Sequence, residues 1–79
     1  MYFLVEYDRA AGRLDALRPF LDQVQAQEER LATELRHLQA GTDVEVVLLD
    51  APDETALRRT HLRYFVPLPE LARGRLDND

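Results

Sequence analysis

The chain has 79 residues, with 15 acidic and 10 basic side chains and a net charge of −5. It contains no cysteine, which excludes disulfides and thiolate metal sites. A chain of this length forms one domain and buries only about 60–65% of its unfolded surface, so we expect a partner subunit to add stability. The acidic balance argues against nucleic-acid binding by phosphate neutralisation.

The chain has no predicted membrane or export segment. Its N-terminus lacks the basic region of a signal peptide, and no stretch approaches the ~20 apolar residues of a membrane span. All basic residues are arginines, as is common in GC-rich genomes. The stretches 7–14 and 60–65 resemble segments of small bacterial proteins, which implies no activity. We therefore expect a cytoplasmic bacterial protein.

The first 17 residues are typical of a β-hairpin. Residues 2–7 are rich in aromatic and β-branched side chains, which favour a strand. Residues 8–12 begin with aspartate and end with glycine, as turns often do. Residues 13–17 then form the returning strand. The alternative places 13–17 in the following helix, but Pro19 fits a first helical turn and not a helix interior.

Residues 19–40 have the spacing of a long helix, and Gly41 occupies the position of a C-terminal cap. Apolar residues recur every three or four positions, with Glu28 as the polar interruption. Two interpretations stay open for this series. It packs against the sheet of its own chain, or it pairs with a helix of a second copy. The members of the series are Leu14, Leu17, Leu21, Val24, Leu31, Leu35 and Leu38.

The second half of the chain predicts one strand and one helix. Residues 44–49 are apolar on both sides except at Glu45, which indicates a central, doubly buried strand. Asp50 or Asp53 is the candidate cap of a helix over 53–63. Residues 67–79 contain two prolines and a polar end, so we expect an extended, partly disordered C-terminal tail after a single domain at 1–66.

These elements predict an α+β two-layer sandwich in the order β-β-α-β-α. Its sheet has three mainly antiparallel strands, with both helices on one face. The other face would be bare and apolar, and a symmetric homodimer would cover it. The leading hypothesis is a small self-associating interaction module that binds itself or another protein. The candidate interface residues are Leu4, Glu28, Leu31, Leu35 and Leu38.

An arginine cluster near the end of the second helix suggests an alternative function. Its guanidinium groups suit phosphates and carboxylates, and the tyrosine can stack on a base, so the cluster is a candidate site for an anion, a nucleotide or nucleic acid. The structural interpretation is that these arginines offset the helix dipole or pair with nearby acids. The candidate ligand-binding residues are Arg58, Arg59, His61, Arg63 and Tyr64.

A second alternative is a small enzyme whose site lies at a subunit boundary, with His61 beside Glu6 or Glu45. The sequence contains no glycine-rich phosphate loop, Ser-His-Asp set or metal-ligand spacing. It therefore predicts no catalytic set, no cofactor and no metal, and an interaction role ranks above an enzymatic one.

Overall fold

The computed structural model describes residues 1–66. Within them lie the strands β1 (Tyr2–Asp8), β2 (Arg13–Phe20) and β3 (Val44–Asp50) and the helices α1 (Gln23–Ala40), α2 (Glu54–Thr60) and α3 (Leu62–Phe65). The strands form an antiparallel sheet in the order β2-β1-β3. The predicted α+β class and element order are confirmed, whereas the predicted tail at 67–79 lies outside the described residues. No helix within 1–66 is long and apolar enough to cross a membrane.

The central strand is β1, and not the predicted segment 44–49. Phe3, Leu4 and Val5 on β1 are at most 2% exposed, whereas the residues of β3 are half-buried or exposed. The apolar character of β1 on both sides fits this position, because a central strand packs on both faces. The prediction for residues 44–49 was wrong because an edge strand can be equally apolar where helices cover its two faces.

The hairpin is present and extends further than predicted. The carboxylate of Asp8 accepts a hydrogen bond from the Ala11 amide at 3.0 Å, and Gly12 adopts a φ of 68° to close the turn. β2 continues through Pro19 to Phe20. Proline is tolerated there because β2 is an edge strand. Pro19 is therefore not a first helical residue.

Helix α1 begins at Gln23, four residues later than predicted, because the strand occupies the positions before it. The side chain of Asp22 caps its first turn by accepting from the Val24 amide at 2.9 Å. The predicted C-terminal cap at Gly41 is confirmed by a φ of 71°, and the Gly41 amide donates to Leu38 O at 3.3 Å.

The helices lie on opposite faces of the sheet. Successive side chains of a strand point to opposite faces, and on β1 Glu6 contacts His37 of α1 whereas Tyr7 packs edge-on against Tyr64 of α3. The prediction that both helices share one face was wrong. Each sheet face has a helical cover, which removes the bare face that was predicted to form a dimer.

The face opposite α1 carries most of the apolar core. Leu57 of α2 and Tyr64 of α3 pack on Phe3, Val5 and Tyr7 of β1. Asp53 caps α2 by accepting from the Ala56 amide at 2.8 Å, which confirms one of the two predicted caps. The predicted helix over 53–63 is interrupted at His61, where α2 ends and α3 begins.

Candidate interaction surface

The apolar series of α1 points away from the sheet. Successive helical residues are about 100° apart, so Leu31 and Thr33 lie on nearly opposite sides of α1. Thr33 and Ala26 are fully buried. The exposed residues on the other side of α1, together with Leu21 just before its cap, form what we call the α1 stripe: Leu21 (83% exposed), Val24 (65%), Leu31 (58%), Leu35 (53%) and Leu38 (78%), with the exposed Glu28. A surface helix normally buries its apolar stripe, and α1 does the reverse.

Polar contacts from β2 anchor the middle of α1 on the sheet. Arg18 of β2 donates to Glu29 Oε2 at 3.2 Å and to Thr33 Oγ1 at 3.0 Å. Arg18 lies opposite Leu4 in the β1–β2 pairing, so it belongs to the sheet face that α1 covers. These bonds hold the middle of α1 on the sheet while its leucines stay outside.

A second network anchors the C-terminal half of α1. Glu6 has a side chain only 10% exposed. It accepts hydrogen bonds from His37 Nε2 at 2.7 Å and from Arg36 Nη2 at 3.2 Å. The other ring nitrogen, His37 Nδ1, lies 2.7 Å from Thr42 Oγ1. The near-buried carboxylate of Glu6 is thus satisfied by two groups of α1, as a charge removed from water requires.

Four of the five predicted interface residues lie on the α1 stripe: Glu28, Leu31, Leu35 and Leu38. Leu4 does not, because it is fully buried inside the chain, and it is therefore excluded from any surface between copies. The stripe also contains Leu21 and Val24, which were absent from the predicted interface. The three-and-four spacing that identified the other leucines includes both of them.

The predicted arginine cluster is partly occupied by acids of the same chain. Arg58 donates to Glu54 at 3.0 Å and its guanidinium lies 4.6 Å from the centre of the Phe65 ring. Arg63 donates to the two oxygens of Glu45 at 3.0 and 2.8 Å. These arginines are committed to structural pairs, which leaves them poorly suited to bind an external anion.

Tyr64 and Glu45 join α3 to β3. The Tyr64 hydroxyl donates to Glu45 Oε2 at 2.5 Å. This bond is the main cause that lowers the pKa of Glu45; burial opposes it, Arg63 and Arg9 lower the pKa further, and the net shift is downward. Burial first, and then the bond to the carboxylate, raises the pKa of Tyr64. The buried Tyr64 is therefore a structural anchor and does not stack freely on a ligand.

His61 and Arg59 complete the predicted ligand set without forming a site. His61 is half-buried at the junction of α2 and α3, with its ring centre 6.5 Å from that of Tyr64. Arg59 is exposed on α2. Of the two carboxylates proposed beside His61, Glu6 is separated from it by the sheet, because Glu6 contacts α1 on the other face, whereas Glu45 lies on the α3 face and is bonded to Tyr64 and Arg63.

An open groove of about 310 Å³ lies beside the C-terminal end of α1. One wall includes Arg9, which lies 3.7 Å from Glu45 and 3.5 Å from Asp43. The charged side chains that line the groove are thus already paired within the chain. The lining residues are Arg9, Glu34, His37, Leu38, Thr42, Val44, Glu45 and Val46.

Among residues 1–66, no three His, Asp or Glu side chains are grouped so that they could hold a metal ion. No family model matches the chain, and neither curated proteins nor solved structures provide a match. The exposed α1 stripe is therefore the feature of the described residues that points most directly to a function.

Proposed function

We propose that the protein is a self-associating interaction module that dimerises through the α1 stripe. The observation that carries the proposal is the outward orientation of Val24, Leu31, Leu35 and Leu38, each more than half exposed. An exposed apolar row of this kind usually marks an interface. Its three-and-four spacing is the pattern by which one helix packs against another.

The energy available from the stripe is of the size that a reversible dimer requires. Burying the exposed fractions of these four side chains stabilises by about 4–8 kcal/mol per copy, at about 1.5–3 kcal/mol for each fully buried side chain. Two copies together gain about 8–15 kcal/mol, against an association cost of about 4–15 kcal/mol. A micromolar dissociation constant needs a net gain of about 8 kcal/mol, which the upper part of this range supplies, so we propose a dimer at micromolar concentration that separates on dilution.

The test is the solution mass, measured by light scattering during gel filtration, of the wild type and two double variants. Leu31→Glu with Leu35→Glu places two charges in the α1 stripe. Gln23→Glu with Gln25→Glu adds the same charge to exposed positions of α1 outside the stripe. Both variants keep good helix formers.

We expect a dimer for the wild type and for the glutamine variant, and a folded monomer for the leucine variant. Circular dichroism checks that the leucine variant remains helical. A wild type that is a monomer at micromolar concentration contradicts the proposal, as does a leucine variant that stays dimeric.

A further inference from the structure

We propose that the two copies pair their α1 helices antiparallel, with Glu28 of each copy packed beside Leu31 of the other. This inference rests on the proposed function and adds the orientation of the partner. It follows from the positions of the stripe residues along α1 and from the one charge among them.

The stripe has the two alternating positions of a helix-pairing seam. Leu21, Glu28 and Leu35 occupy one position of the seven-residue repeat, and the remaining stripe residues occupy the other. In an antiparallel pair, residues of the first set face residues of the second. One register pairs the stripe residues of α1 itself: Val24 faces Leu35 and Glu28 faces Leu31, while Leu38 lies level with Leu21, which precedes the cap of the helix.

Glu28 distinguishes the antiparallel pair from the parallel one. A parallel pair places the two Glu28 side chains opposite each other in one layer of the seam, where like charges repel and are costly to remove from water. In the antiparallel register a leucine faces each Glu28. The two glutamates then lie in neighbouring layers about 4.5 Å apart along the axis, and each can extend towards solvent.

The ends of α1 also favour the antiparallel arrangement. The partial positive charge of a helix N-terminus then lies near the partial negative charge of the other C-terminus, whereas a parallel pair places like ends together.

The natural absence of cysteine allows a direct test by disulfide trapping. The variants are Val24→Cys, Leu35→Cys and the double variant Val24→Cys/Leu35→Cys. In the antiparallel pair, position 24 faces position 35 of the second copy, and two copies of position 24 are about 16 Å apart. That separation exceeds the reach of a disulfide, which joins Cα atoms about 4.4–6.8 Å apart.

We expect the double variant alone to form a covalent dimer under mild oxidation, with peptide mapping that links position 24 to position 35. Gln23→Cys, an exposed residue outside the stripe, measures the background of random collisions. Cross-linking of Val24→Cys alone above that background shows a parallel pair and overturns the inference. A wild-type dimer in which no stripe variant cross-links overturns it also, while a wild-type monomer overturns the proposed function itself.

Discussion

Replacement of Glu28 by leucine is expected to tighten self-association strongly. Glu28 is the only charged residue of the α1 stripe, and it is exposed in the single chain. The folded monomer gains little from the change, because a leucine at this position would be exposed as well. In the proposed antiparallel dimer, each new leucine packs against Leu31 of the other copy, so the effect falls on the association equilibrium.

The magnitude follows from the apolar surface that the dimer buries. Each buried leucine stabilises by about 1.5–3 kcal/mol, and a dimer contains two of them, which gives about 3–6 kcal/mol. At about 1.4 kcal/mol per factor of ten, the dissociation constant should fall by roughly 10²- to 10⁴-fold. The removal of two carboxylates from the seam acts in the same direction.

Sedimentation equilibrium over a dilution series measures this constant for the wild type and for Glu28→Leu. Gln23→Leu is the matched control, because it adds a leucine to an exposed position of α1 outside the stripe. We expect the control to change the dissociation constant by less than about threefold, which corresponds to under 1 kcal/mol. The reasoning is refuted if Glu28→Leu has no larger effect than this control.

Three further predictions concern the fold that presents the stripe. Leu57→Ala should lower the free energy of unfolding by about 2–5 kcal/mol, because Leu57 is fully buried. The control Leu62→Ala changes a residue that is 48% exposed and should lower this free energy far less. Urea titration of both variants at one protein concentration compares them. Gly41→Ala should cost about 1–2 kcal/mol, because the φ of 71° disfavours a side chain although no atom lies within 4 Å of the added carbon, and equal melting temperatures would contradict this. The pKa of Glu45 is lowered in the fold, so its stabilising effect is present above its unfolded pKa and is lost as the pH falls through the lower folded value. In a pH series of melting curves, the melting temperature of Glu45→Gln should therefore fall less at low pH than that of the wild type. An equal fall in both proteins would show that the bond between Tyr64 and Glu45 contributes nothing to the dependence of stability on pH.

The parts of the fold that depend only on residues adjacent in the sequence were predictable from it. The glycine after α1, the aspartate before α2 and the turn at residues 8–12 act through their own backbone conformation and nearby amides, and each lies where the pattern indicated. The start of α1 was misplaced because Pro19 fits both a first helical turn and an edge strand. Only the pairing of β2 with β1 distinguishes these two positions.

The position of the candidate interface residues could be predicted only in part. The spacing of Leu31, Leu35 and Leu38 identified one side of α1, but spacing does not state whether that side faces the sheet or solvent. Leu4 was assigned to a bare sheet face, which does not exist because α2 and α3 cover the face opposite α1. Strand order and helix placement are long-range properties, so a pattern of local periodicity does not determine them.

The direction in which the α1 stripe points follows from the polar residues beneath the helix. If α1 were rotated to place its leucines on the sheet, the near-buried carboxylate of Glu6 would lose His37 and Arg36, and Arg18 would lose its bonds to α1. A charge left unpaired in the interior costs several kcal/mol, which is comparable to the benefit of burying two or three leucines. The outward orientation satisfies these charges within one chain and leaves the apolar gain to association. In the proposed function, folding and self-association therefore use opposite sides of the same helix.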